Sequence, residues 1–275
     1  MNPDDDRDID IDETRRFGRT IDFGRTAKEY GRHRAGFPSA FFQALADRGI
    51  LRPGIHALDI GTGTGTVARG LALVGAHVAA MDPAAHLIDQ ARTLDAEAGV
   101  DIAYTIGSAE NLDTKDATLD IVTAGQCWHW FDRPRAAAEC FRVIKPGGYL
   151  VIAHFDWIPI EGNVVAETEA LIRMYNPAWT MHGGTGLYPR WTVDMTLAGF
   201  EALETFSFDQ SVRYSHADWR GRIQASAGIR ASLDEDACRR FDADLAGVLT
   251  SQFPHDPMDV PHRCWTVIGR KPDQT

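Results

Sequence analysis

The chain of 275 residues is 44% hydrophobic and carries 28 Lys and Arg against 39 Asp and Glu, a formal net charge of -11. So much apolar content supports a large core and one big domain with an appended lid, which excludes a chain that is disordered through most of its length. The acidic balance would repel a phosphate backbone and no Lys/Arg cluster interrupts it, so no nucleic acid is expected as a partner and a small molecule is the expected ligand.

Four cysteines, Cys127, Cys140, Cys238 and Cys264, stand without a C-x-x-C pair. That spacing argues against a disulfide framework or a structural zinc site, so no metal is expected and a reducing cytoplasm fits. The opening "MNPDDDRDIDIDE" lacks the basic and apolar regions of a secretory signal, and no run of about 18 apolar residues follows anywhere, so no membrane association is expected. Residues 1–25 read as an acidic, solvated tail and residues 26–275 as the folded domain.

From Thr26 to Arg48 the residues Tyr30, Phe37, Phe41, Phe42 and Leu45 predict two helices or helical turns, with a break at Gly36 and Pro38 in a first turn. "GIHALDIG" reads as a buried strand, "TVARGLALVGA" as the helix after it, and "HVAAMD" as the next strand. "AAHLIDQARTLDAEAG" is a helix closed by Gly99, "DIAYTIG" and "LDIVTAGQ" are strands, "RAAAECFRVIKPGG" is a helix stopped at Pro146, and "YLVIAHF" is a fifth strand. Strands alternating with helices imply right-handed crossovers and a parallel sheet covered on both faces.

The stretch "LDIGTGTGT" therefore lies at the first strand-to-helix turn, where ligands of parallel sheets collect. Glycines there let a ligand touch the backbone, and the helix that follows offers unpaired N–H groups. A dinucleotide binder wants G-x-G-x-x-G so that its pyrophosphate rests on the helix N-terminus. Here Gly61, Gly63 and Gly65 give G-x-G-x-G, and Thr66 stands where the third fingerprint glycine belongs. That departure disfavours a dinucleotide.

Five segments in register, "ALDIGTGTGTVARGLA", "VAAMDP", "GSAENL", "LDIVTAGQCWHWFD" and "ECFRVIKPGGYLVIA", resemble the successive motifs of class I S-adenosylmethionine-dependent methyltransferases. The upstream "AKEYGRHRAGFP" is similar to an element of the small-molecule branch that includes ubiquinone-type and trans-aconitate methyltransferases. The resemblance implies an α/β fold: a Rossmann-like, doubly wound, seven-stranded sheet, mostly parallel with an antiparallel edge strand, plus a helical lid. It implies S-adenosyl-L-methionine as cofactor, S-adenosyl-L-homocysteine as product and no metal.

On this resemblance the backbone from Gly61 through Thr62 to Gly63 faces the charged methionine portion, and Asp82 accepts from the ribose hydroxyls with Pro83 against the adenine edge. Ser108, Ala109 and Glu110 approach adenine, although Ser108 replaces the Asp that many family members carry. Gln126 offers its carbonyl to the cofactor's amino group, Arg34 pairs with its carboxylate, and Tyr30 closes over the methyl. Alternatively, Tyr30 and Arg34 belong to an amphipathic helix packed on the sheet, and Asp59 bonds to turn N–H groups rather than to ligand.

Tyr30 and His129 are the candidates for positioning the acceptor, though an imidazole at His129 also suits a simple loop tie. An alcohol or carbon acid as acceptor would call for His129, His154, His182 or Asp156 nearby, whereas a phenol or carboxylate needs little help. An insertion at about 155–196, rich in aromatic residues and methionine, suits a lid over an aromatic or heterocyclic acceptor, and Trp128, Tyr175, Trp179 and His182 are expected to line it. A second, helical insertion covers about 215–255, between a sixth strand, "AGFEALETFSFDQSVRYS", and the last, "HRCWTVIGRK".

The expected function is methyl transfer to a small-molecule N, O or C nucleophile by in-line displacement. An NAD-dependent oxidoreductase on a similar sheet and a noncatalytic cofactor-binding module are the alternatives, and the oligomeric state is left open.

Overall fold

In the computed structural model, which describes residues 36–226, 228–229 and 232–273, the apolar run before Gly61 forms β1 (His56–Ile60), with His56 exposed and the next four residues buried. A strand covered on both faces needs no alternation, which is why Ala57, Leu58 and Ile60 read as one continuous interior segment. β1 pairs in parallel with β2 (His77–Asp82) and β4 (Leu119–Gly125), and β2 pairs in parallel with β3 (Ala103–Ile106). β5 (Ile144–Trp157) extends this parallel set beside β4. The sheet is completed by β6 (Glu201–Tyr214) and β7 (Met258–Arg270) in the order β3-β2-β1-β4-β5-β7-β6. β7 is antiparallel to both neighbours, so the antiparallel strand lies one place in from the edge and β6 closes it.

Helices cover both faces. α1 (Ser39–Asp47) and α2 (Thr66–Leu73) bury Phe41, Leu45, Val67 and Leu71 on one side, in a cluster that continues through Ile121, Val151 and Ile268. α3 (Ala85–Ala98) ends where Gly99 turns left-handed at φ 70° and its N–H returns to the Ala96 carbonyl. α4 (Arg133–Val143), with Asp132 as its N-cap, and α6 (Trp191–Leu197) bury Ala137, Cys140, Trp191 and Met195 on the opposite face. A third cluster lies among α5 (Val164–Tyr175), α7 (His216–Gln224) and α8 (Glu235–Gln252), packed on the ends of β6 and β7 nearest Tyr214 and Met258. Asn163, Ser215 and Asp234 cap these three helices through side-chain oxygens.

Two boundaries depart from the sequence reading. The helix expected to run to Pro146 ends at Val143, and Ile144 already has extended backbone. The KPGG segment is instead the irregular start of β5: pairing with β4 shifts register between Leu119 and Ile121, and Lys145 donates to Asp120 at 2.8 Å. Gly148 is required there, because a Cβ would meet the Asp120 carbonyl oxygen at 2.7 Å. Pro38 is the residue before α1, not part of its first turn. The acidic tail and the "AKEYGRHR" element, with Tyr30 and Arg34, lie outside the described residues. No helix among the described residues is long and apolar enough to cross a membrane.

Candidate functional site

The turn after β1 is built from left-handed backbone: Gly61, Gly63 and Gly65 have φ of 61°, 55° and 79°. Any other residue type pays a steric penalty in that region. The three glycines nonetheless serve different ends. A Cβ on Gly61 would sit 2.8 Å from Cys127 Cβ and 2.9 Å from Phe131 Cζ, and one on Gly65 would meet the Tyr104 hydroxyl at 2.5 Å. A Cβ on Gly63 would meet nothing within 4 Å among the described residues, so that side of the turn is open.

Asp59, the buried acid of β1, holds the turn from behind. Its two oxygens accept from the hydroxyls of Thr62 and Thr123, each at 2.6 Å, and burial pushes its carboxyl up to about 6. Asp82, at the end of β2, accepts from the N–H groups of Gly63 at 2.8 Å and Ala84 at 2.9 Å. Burial raises its pKa as well, against the lowering effect of those two donors. An ionised carboxylate has about four acceptor sites, so Asp82 retains capacity toward the cleft. Arg69 was not singled out by sequence, yet it locks the turn to α3 by donating to the Thr64 carbonyl and to Asp95, each at 2.8 Å.

At the neighbouring strand ends, Pro83 and Ser108 are exposed and Ala109 is buried. The Ser108 hydroxyl bonds the Glu110 carboxylate, whose other oxygen accepts from the Asp132 N–H at 2.9 Å. Glu110 thereby ties this turn to the start of α4. Gln126 follows β4 with a φ of 58°, unusual for a residue with a side chain. Its amide donates to the Phe155 carbonyl and to Asp156 Oδ1, each at 2.7 Å, which leaves its carbonyl oxygen as the end directed to other partners.

Asp156 collects more than Gln126. Its Oδ2 lies 2.8 Å from His154 Nδ1 and accepts from the Tyr188 hydroxyl. A carboxylate there places the imidazole proton on Nδ1 and leaves a lone pair on Nε2, which is buried with no hydrogen-bond partner among the described residues. Burial, with Asp156 beside it, holds the Tyr188 phenol far above its ordinary range, so it stays a donor. His129 is buried with its ring centroid 5.2 Å from that of His154. Nothing in the spacing of residues 126, 154, 156 and 188 shows that they meet; the adjacency of β4 and β5 brings the first three together, and the loop before α6 adds Tyr188.

The residues expected to line an acceptor cavity divide differently. Trp128 has no exposed surface: its ring packs edge-on to Phe131 and its indole donates to Asp194 at 2.9 Å, stitching the β4 turn to α6. The Tyr175 ring stands on Phe241 and its hydroxyl donates to Asp244 at 2.6 Å, within the packing of α5 on α8. Trp179 is buried against Gly228 with the His182 ring 6.1 Å away. The structure brings together Gly61, Gly63 and Asp82, and separately Gln126, His129, His154 and Asp156. Among the described residues no group of three or more His, Cys, Asp or Glu side chains is arranged to hold a metal ion.

Residues 58–152 match the methyltransferase domain model. Over that stretch the chain resembles methyltransferases. The match spans β1 through the middle of β5, the same stretch in which the glycine turn, Asp82 and Gln126 sit. An uncharacterized methyltransferase of Mycobacterium bovis is 33% identical over 131 residues, covering 48% of this chain and 51% of the relative. The chain thus spans about half the length of that relative. A ubiquinone biosynthesis O-methyltransferase of Paraburkholderia xenovorans is 27% identical, covering 76% of this chain and 92% of the relative. Among solved structures, a Haemonchus contortus phosphoethanolamine N-methyltransferase in complex with phosphomonomethylethanolamine and S-adenosylhomocysteine shares the fold, with a TM-score of 0.53, 17% identity, and coverage of 91% of this chain and 57% of that one.

Proposed function

We propose that this protein transfers a methyl group from S-adenosyl-L-methionine to a small-molecule N, O or C nucleophile, leaving S-adenosyl-L-homocysteine. The observation that carries the reading is the turn from Gly61 to Gly65 backed by Asp82: bare main chain opens into the cleft at Gly63, and a carboxylate with acceptor capacity stands beside it. The structure bound to S-adenosylhomocysteine supports the choice of ligand, and Thr66 at the third fingerprint position speaks against a pyrophosphate. Asp82 would take the ribose hydroxyls with Pro83 beside the adenine, Ser108, Ala109 and Glu110 would border the base, and Gln126 would present its carbonyl to the amino group.

The sulfonium supplies a methyl group with a good leaving group already attached. What the chain adds is alignment and dryness, and positioning of this kind accounts for about 7–11 kcal/mol in well-oriented reactions. Where the acceptor carries a proton, His154 Nε2 is the group suited to receive it, with Asp156 fixing the imidazole through Nδ1 and His129 beside it. Residues 155–196 and the layer of α5, α7 and α8 would enclose the acceptor. Isothermal titration with S-adenosylhomocysteine tests the proposal directly. Saturable binding at micromolar ligand is expected; silence at millimolar ligand, or thermal protection by NADH instead, would remove it.

A further inference from the structure

A buried cation without a counter-ion is costly, so arginines that leave bulk solvent normally meet a carboxylate. Of the partly buried arginines among the described residues, Arg69, Arg133, Arg142, Arg220, Arg263 and Arg270 each lie within ion-pair distance of one. Arg222, on α7, has no carboxylate within ion-pair distance among the described residues. Its guanidinium stands 4.7 Å from the centroid of the Trp157 ring and bonds the Tyr214 side chain. Burial pulls its pKa below the ordinary arginine value, and the field of Asp156, beyond ion-pair reach, acts only in the opposite direction. Asp156 itself takes its donors from Gln126, His154 and Tyr188.

The place matters as much as the missing partner. Trp157 is the last residue of β5, at the carboxyl end of the parallel strands, one residue beyond the Asp156 that is tied to Gln126 at the end of β4. Trp157 and Tyr214 each meet Trp219 edge-on, at 5.4 and 5.3 Å, so the guanidinium is framed by flat apolar rings. A fork of N–H donors set among aromatic surfaces at that end matches a planar anion carried on an apolar body.

We propose that Arg222 receives the carboxylate of the methyl acceptor, so that the substrate class is a small carboxylate-bearing molecule. This rests on the methyl-transfer reading for the word acceptor, but the anion site is tested apart from it. Benzoate, 4-hydroxybenzoate and succinate, each beside its neutral amide, are titrated into the protein while tryptophan fluorescence is followed, since Trp157 and Trp219 report on any ligand at the guanidinium. Saturable quenching by at least one acid, tenfold or more tighter than by its amide, is expected for the wild type. Arg222→Gln should lose at least tenfold in affinity for that acid, Arg222→Lys should recover part of it, and S-adenosylhomocysteine affinity should stay within twofold in both.

If no acid binds better than its amide, or if Arg222→Gln binds the acid as the wild type does while melting earlier, Arg222 merely braces Trp157 and Tyr214 and the proposal is overturned. Phenyl phosphate binding tenfold better than every acid would overturn the carboxylate assignment. Should Arg222→Gln fail to fold, the acid-against-amide contrast in the wild type, with Arg222→Lys, decides the matter. Carboxylate binding without S-adenosylhomocysteine binding would leave the anion site standing and remove the methyl-transfer reading, so the two failures are distinct.

Discussion

Around β1 and β2 the proposed cofactor surface is main chain, shaped by three left-handed glycines and held by two buried carboxylates. Beyond β5 it is side chain: His154, Asp156, Tyr188 and Arg222 come from β5, from the loop before α6 and from α7, and rings of tryptophan and tyrosine fill the space between them. The difference suits the two ligands proposed. On the proposed function, a widely used cofactor would be met by backbone geometry and an acceptor specific to this chain by side chains.

The sharpest test of that contrast is to damage one region and read the other. Trp191→Ala removes a buried ring stacked on Tyr188 at 4.4 Å and lying 4.8 Å from His154, and should cost about 3–5 kcal/mol in chemical denaturation. S-adenosylhomocysteine affinity should change less than twofold; a larger loss would mean that the two regions are not separate. Gly61→Ala acts in the opposite sense. Left-handed backbone and the clash with Cys127 and Phe131 together should cost about 2–4 kcal/mol and abolish cofactor binding.

Asp59 offers a pH signature confined to the first region. Its folded pKa of about 6 stands above the ordinary 3.8, so the folded state keeps a proton that the unfolded chain releases. Stability from this group is therefore present below the lower value and is lost as pH rises from about 4 to about 6, by up to about 3 kcal/mol. Asp59→Asn should flatten that part of the profile in thermal melts; an unchanged slope would place its origin elsewhere. Asp82→Ala should weaken S-adenosylhomocysteine binding by about 1.5–3 kcal/mol in calorimetry, the scale of a lost charged hydrogen bond. Smallest is Tyr175→Phe: with its hydroxyl given to Asp244, neither cofactor affinity nor turnover should move, and a fall in turnover would return Tyr175 to the acceptor surface.

Much of the first region was legible without coordinates. β1, β2 and β4 are short apolar runs closed by glycine or by a polar residue, so their periodicity and their ends appear together, and Gly61, Gly63 and Asp82 fall where a strand-to-helix turn must place them. β5 was harder: KPGG looks like a helix stop, yet the pairing with Asp120 draws it into the strand. The second region was read by composition, and composition does not distinguish a lid from a core. Trp128 and Tyr175 looked like cavity residues because aromatics suit both, whereas Asp194 and Asp244, far along the chain, give their polar atoms structural partners. Arg222 carried no signal at all, since a lone arginine on a helix becomes notable only when the described residues around it offer no carboxylate.

The sequence by itself determined the doubly wound α/β order, the glycine turn and the acid that ends β2, because these depend on local periodicity and on backbone conformations open to few residue types. Which side chains meet beyond β5, and which arginine has no counter-ion among the described residues, only the tertiary structure decided. Those relations join positions dozens of residues apart through strand adjacency and helix packing, and contacts at such separations leave no pattern in a single chain.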